Sequence, residues 1–165
     1  MIYIIIGVAM LFILGPIFMM RPSPRERRLA RIRQYATAQK VSVNPVSLQK
    51  DDKFGRLLER NPHINLHQWF RYQLVAEENQ SGPSVKGEWF QRKTKEGPLV
   101  WESRDVRQQT PAAVQQMLEQ WQEHQSVQFL QVQLGPRSVS IVWNERGDLP
   151  EVEALCQQLH ELMEA

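Results

Sequence analysis

From Ile2 to Met20 the chain reads IYIIIGVAMLFILGPIFMM, nineteen residues without a charge or a strongly polar side chain. A helix rising about 1.5 Å per residue would carry this run across roughly 28 Å, close to the hydrocarbon thickness of a bilayer. In water, a helix that is apolar on every side has to be wrapped by other elements. A chain of 165 residues has too little mass to do that and still build a core of its own. The run therefore predicts a transmembrane anchor over residues 1–20, which leaves room for one modest domain on one side of a membrane. Within the span, Gly15-Pro16 removes a backbone donor and predicts a kink.

The flanks set a direction. No Lys or Arg precedes Ile2 and no small-residue cleavage site follows Met20, so the segment is expected to remain as a signal anchor. Six arginines come directly after it, Arg21, Arg25, Arg27, Arg28, Arg31 and Arg33. Positive flanks stay cytoplasmic, which predicts an N-terminus outside and a C-terminal domain inside. These arginines also account for the basicity of the whole chain. Seven of its twenty Lys/Arg lie before residue 41 against one acid, leaving thirteen basic residues and seventeen acidic ones beyond. A single cysteine, Cys156, rules out an internal disulfide.

The arginines sit on a second predicted helix. Ser23 can cap it, Pro24 suits its first position and Glu26 completes a capping box. Leu29, Ile32 and Ala36 recur at three- and four-residue spacing and make one apolar stripe. This basic juxtamembrane helix, residues 21–40, is expected to lie over anionic headgroups, each arginine contributing about 1 kcal/mol near such a surface. Nucleic-acid binding through the same charges is the alternative, but only Tyr35 is at hand for base stacking and the basic surface is narrow.

An apolar N-terminal span followed at once by RPSPRERRLARIRQYATAQK resembles a group of bacterial single-pass proteins labelled YajC-like preprotein translocase subunits. The resemblance covers the first quarter of the chain. The glycine-rich stretch that follows the basic segment in YajC itself is not found here, since residues 41–60 contain only Gly55. What the resemblance implies is a place in the inner membrane of a Gram-negative-type bacterium, with no enzyme activity.

Residues 41–62 read as a polar connector in which VSVNPVSL is at most a short edge strand interrupted by Pro45. Residues 63–165 then form the predicted cytoplasmic domain. Phe70, Tyr72 and Leu74 alternate with Arg71, Gln73 and Val75, the period of a half-buried strand. Turn signals at Asn79–Ser84 and Glu96-Gly97-Pro98 separate this run from Val85–Thr94 and Leu99–Ser103. Short connections predict antiparallel neighbours in that order.

Thr110-Pro111 starts a helix with Val114, Met117, Leu118 and Trp121 on one face. Gly135-Pro136 joins the runs Ser126–Leu134 and Arg137–Asn144 into a hairpin. The first of these runs changes parity between Phe129 and Leu130, which predicts a bulge or burial on both faces. Asp148, Pro150 and Glu151 open a last helix striped by Val152, Leu155, Cys156, Leu159 and Leu162. The predicted class is α+β: anchor and basic helix first, then a small antiparallel sheet with two packed helices.

Catalytic chemistry finds little purchase. His63 and His67 are four apart, as two metal ligands on a helix would be, but the glutamate of H-E-x-x-H is replaced by Ile64. Cys156 and His160 share that spacing, with Cys156 on the apolar stripe where a thiol packs rather than reacts. The eight glycines form no phosphate loop. Neither a metal nor a cofactor is expected, and an enzyme with an unrecognised site is the weaker alternative. Five tryptophans are spread one to an element and read as core residues. The other arrangement open to them is a partner groove of Trp69, Trp89 and Trp101 on an exposed sheet face.

The expected function is accordingly that of a non-enzymatic, membrane-anchored interaction or accessory protein. Its expected partners are the bilayer, anionic headgroups and a membrane-associated protein. A reporter fused after Ala165 should be active only in the form that requires the cytoplasm; activity confined to the other side of the membrane would reverse the predicted orientation.

Overall fold

The computed structural model describes residues 22–46, 69–93, 99–103, 110, 112–122 and 129–164. The predicted span over residues 1–20, Arg21, His63 and His67 lie outside the described residues. No helix among the described residues is long and apolar enough to cross a membrane.

Three helices and six strands follow one another as α1 (Pro24–Ala38), β1 (Val41–Pro45), β2 (Phe70–Val75), β3 (Gly87–Lys93), β4 (Leu99–Ser103), α2 (Ala112–Gln122), β5 (Phe129–Leu134), β6 (Ser138–Trp143) and α3 (Leu149–Glu164). The strands form one sheet in the order β1-β2-β6-β5-β3-β4, antiparallel at every pairing. The fold is α+β, as the alternation of apolar residues predicts.

Two features depart from the expected arrangement. The first is the order of strands. β2 does not pair with β3; the β5–β6 hairpin lies between them, β6 against β2 and β5 against β3. Burial explains this. β5 and β6 are buried along nearly their whole length, on both faces, whereas β2 exposes or half-exposes alternate residues. The centre of a sheet is where a strand can be covered on both faces.

The register shows how β5 achieves this. Phe129 pairs with Trp143 and Gln131 with Val142, so Leu130 is an extra residue, and the shift marks a bulge. The change of parity at this point therefore turns Phe129, Val132 and Leu134 to the helix side and Leu130 to the opposite side.

The second departure is where the domain starts. Residues 21–40 and 41–62 were expected to stand outside it, yet α1 packs on the core and Val41–Pro45 is an edge strand. Val41 lies opposite Leu74 and Val43 opposite Tyr72, so two valines extend the apolar face of β2. Pro45, with no N–H to offer, is tolerated because β1 is an edge strand, and the pairing continues past it through Val46 N–H to the Trp69 carbonyl at 3.1 Å. The helices covering that face number three among the described residues, with α1 as the addition.

The main core lies between this face and the helices. Ile32 and Ala36 of α1, Val114, Met117 and Leu118 of α2, and the stripe Val152, Leu155, Cys156, Leu159, Leu162 and Met163 of α3 are all buried in it. At its centre Trp143 is fully buried, with the Tyr72 ring edge-on at 5.4 Å and the Phe129 ring stacked at 6.3 Å. Opposite the helices, Trp69, Leu130 and Val142 form a smaller cluster, with Phe90 and Val46 packed against it.

Because β5–β6 separates β2 from β3, the chain from Ala76 to Lys86 has to pass the hairpin's turn. Ala76 N–H donates to the Arg137 carbonyl at 2.9 Å and the Arg137 guanidinium donates to the Glu77 carbonyl at 2.8 Å. Gly82 crosses so close that an added Cβ would meet the Pro136 carbonyl oxygen at 2.1 Å. The obstacle is backbone and cannot step aside, so a glycine is needed here for proximity.

Trp143→Ala should lower stability by about 3–5 kcal/mol, read as a fall in the urea midpoint at unchanged slope. Gly82→Ala should also destabilise, although it only adds a methyl group on a loop.

Candidate functional site

The basic helix was the sequence's main candidate for a contact surface. Its start forms as expected: Glu26 N–H donates to Ser23 Oγ at 3.2 Å and Ser23 N–H to Glu26 Oε2 at 2.6 Å. The bonds from Ser23 hold the Glu26 carboxyl below its ordinary range. At the other end Lys40 adopts φ 62°, the left-handed position that commonly closes a helix, and its ammonium pairs with Glu77.

Between these ends the arginines divide into two sets. Arg28 and Arg33 turn inward. Arg28 donates to the Arg146 carbonyl at 3.1 Å and the Glu145 carbonyl at 3.2 Å, and lies 3.5 Å from the Asp148 carboxylate. Arg33 meets the Glu145 carboxylate with both prongs of its guanidinium, Nε to Oε1 at 2.8 Å and Nη2 to Oε2 at 2.5 Å. The same guanidinium stands 4.0 Å over the Phe70 ring, a cation–π contact. Tyr72 Oη donates a third bond to Glu145 Oε1 at 2.9 Å. Arg25, Arg27 and Arg31 are exposed.

Glu145 is the unusual member of this group. Only 3% of its surface is exposed, and its φ of 50° is one that a non-glycine residue adopts at a cost of about 1–2 kcal/mol. The turn after β6 persists in that conformation because Arg28 grips its carbonyl while Arg33 and Tyr72 satisfy its carboxylate. A buried charge without such partners would be far more costly than the backbone strain.

The partners respond in kind. Bonding to the Glu145 carboxylate raises the Arg33 pKa, with burial opposing. Burial first, and then the Glu145 charge, pushes the Tyr72 phenol well above its usual value. The cluster neutralises its own charge and closes on itself; its work is to fasten α1 to the domain.

Sequence alone missed Glu145, which lies in a stretch that reads as the lead-in to the last helix. A signal was present in α1. Arg28 is four residues before Ile32 and Arg33 four after Leu29, so both border the buried stripe; Arg25, four before Leu29, has the same spacing and is exposed, so spacing alone does not select the pair.

Trp69, Trp89 and Trp101 pack in or against the core, the first of the two arrangements open to them, and do not share one sheet face as a groove would require. Trp89 is buried under the helices, its indole N–H donating to Thr110 Oγ1 at 3.1 Å, and Trp101 packs against the same core. Trp69 belongs to the cluster on the opposite face. Parity is the reason: the residues of β2 that face the helices are 70, 72 and 74, which places Trp69 on the other side.

Cys156 and His160 likewise do not combine. The Cys156 thiol is buried and desolvation pushes its pKa up to about 11, while His160 Nε2 lies 3.3 Å from the Gln39 carbonyl oxygen. Among the described residues no group of three or more His, Cys, Asp or Glu side chains could hold a metal ion. A groove of about 140 Å³ runs between α2 and α3, lined by Gln116, Met117, Gln120, Gln158, Glu161 and Leu162. That is well short of the roughly 300 Å³ at which small-molecule sites begin.

No protein-family model, curated protein or solved structure matches the chain.

Removing one partner from the buried pair should be expensive: Glu145→Leu should cost about 3 kcal/mol, the lower end of the range for a broken buried pair because Arg33 keeps some solvent. A double-mutant cycle with Arg33→Met should show coupling of the two positions.

Alkaline pH should weaken the fold. Tyr72 and Cys156 are neutral when protonated and both hold their protons more tightly when folded, so their contribution is intact below the unfolded values of 10.0 and 9.0 and lost as pH rises through the folded ones. Cys156→Ala should flatten the loss between pH 9.0 and about 11, and Tyr72→Phe the part that starts near pH 10.0, in denaturant titrations run across that range.

Proposed function

We propose that this chain is a membrane-anchored, non-enzymatic interaction or accessory protein of a bacterial inner membrane, with its N-terminus outside and its α+β domain in the cytoplasm. The observation that carries this reading is the attachment of α1. The helix starts at Pro24, four residues after the last apolar residue of the run Ile2–Met20, and Arg28 and Arg33 fasten it to the turn after β6. Because α1 is part of the domain, only Arg21, Pro22 and Ser23 separate the apolar run from the folded body in sequence, and so short a connection keeps the domain close to the membrane surface. That suits a protein whose task is to meet a neighbour in or on the same membrane.

The ionisable side chains inside the domain support the same reading. Glu145 and Tyr72 are consumed in holding α1, and Cys156 is a packed thiol. These roles are structural and leave none of the three oriented toward a bound substrate.

Two experiments test the reading. Removing residues 1–20 should move the chain from the membrane to the soluble fraction while preserving its folded spectrum; retention in the membrane would remove the anchor. Crosslinking in intact membranes, followed by affinity capture of the full chain, should recover a protein neighbour reproducibly. Repeated failure to recover one would count against an accessory role.

A further inference from the structure

We infer that Arg27 and Arg31 on the outward side of α1, with Arg25 at its N-terminal end, form a lipid-facing edge that rests on anionic headgroups and sets the tilt of the domain against the bilayer, an inference that builds on the membrane-anchored reading above. Six arginines look equivalent in sequence, but the structure removes two of them from any outer contact. Arg28 and Arg33 are bound to the turn after β6, and with Ile32 and Ala36 in the core α1 cannot roll about its axis. The outward side of the helix is therefore a fixed surface of the domain.

That surface is basic only at one end. Arg27 and Arg31, four residues apart, share the side of the helix away from Leu29, Ile32 and Ala36, while Arg25, four before Leu29, continues the line of that stripe beyond the core at the start of the helix; all three are exposed. None of the three makes an ion pair among the described residues. Farther along, the exposed positions Gln34, Thr37 and Ala38 carry no charge, and Lys40 is paired with Glu77.

The acids at the basic end are engaged: Glu26 bonds to the Ser23 N–H, Asp148 lies against Arg28, and Glu151 accepts from the Asp148 N–H. From Arg25 to Arg31 the helix rises roughly 9 Å, about the distance over which a charged surface is felt at physiological ionic strength. A helix entering the headgroup layer N-terminus first thus keeps all three cations within the surface potential and its neutral last turns outside it. Nucleic acid is the poorer fit, because beyond residue 40 the chain has thirteen basic residues against seventeen acidic ones and offers a long polyanion no continuing track.

The test uses the full chain reconstituted in vesicles of phosphatidylcholine alone or mixed with phosphatidylglycerol. A fluorophore is placed by Ala30→Cys, on the exposed surface beside Arg27 and Arg31. Cys156, being buried, does not compete for the label. Quenching by headgroup-attached nitroxide reports whether the helix edge touches the surface, and flotation reports whether the chain is anchored.

Quenching should be strong in the anionic vesicles, weak in the neutral ones and reduced by salt. Arg27→Gln/Arg31→Gln should weaken docking about 25-fold, about fivefold for each arginine. Equal quenching in both vesicle types, or quenching that the double substitution leaves unchanged, would overturn the inference while flotation with neutral vesicles still upheld the anchor. Flotation with anionic vesicles alone, lost in the double substitution, would uphold the arginine edge and overturn the anchor. Flotation with neither would overturn both.

Discussion

The carboxylate of Glu145 is the charged joint between α1 and the rest of the structure, beside the packing of Ile32 and Ala36 and the β1–β2 ladder. It takes two bonds from Arg33 and one from Tyr72, and its backbone carbonyl takes another from Arg28. The partners come from two elements, both arginines from α1 and Tyr72 from β2, and meet at the turn into α3. Bringing a charge into such a place costs several kcal/mol unless it is fully met. Geometry meets it here, with a forked guanidinium matching the two carboxylate oxygens. The left-handed backbone at Glu145 is what aims the carboxylate toward α1, so the strain and the clamp belong to one arrangement.

The centre of the sheet depends on a different constraint. β5 and β6 are buried on both sides, with Leu130 and Val142 as the apolar residues opposite the helices. Their central position separates β2 from β3, makes the connection from Ala76 to Lys86 cross the hairpin turn, and requires a glycine at 82 where backbone meets backbone. The bulge at Leu130 lets one strand serve two clusters, sending Phe129 and Val132 to the helices and Leu130 to the opposite face with Trp69 and Val142. A single change of parity thus supplies both sides of the sheet.

These two constraints bear differently on function. The hairpin builds the centre of the sheet, and Trp69, Trp89, Trp101 and Trp143 are absorbed in packing. The Glu145 clamp turns a helix that could have been a tether into part of the domain's wall. Of the residues with contact chemistry, those on the inner side of α1 serve the fold, and those on its outer side at the basic end remain available to a surface. A membrane-proximal helix divided in this way couples where the domain sits to how it is built.

Much of this was legible in sequence. The elements followed from period: the stripe of α3, the face of α2, the alternation of β2, the capping box of Ser23 and Glu26, and the parity change at Phe129–Leu130 all depend on neighbours in the chain, which local stereochemistry governs. Strand order, the recruitment of Val41–Pro45, the separation of Trp69 from Trp89 and Trp101, and the choice of Arg28 and Arg33 over Arg25, Arg27 and Arg31 were not legible. Each of these depends on which surfaces meet across the fold. Sequence by itself determined the α+β class, the places of its helices and strands, and a cluster of arginines directly after an apolar run. Only the tertiary structure decided which arginines the domain uses for itself, because a buried carboxylate 112 residues farther on selects its partners by position in space.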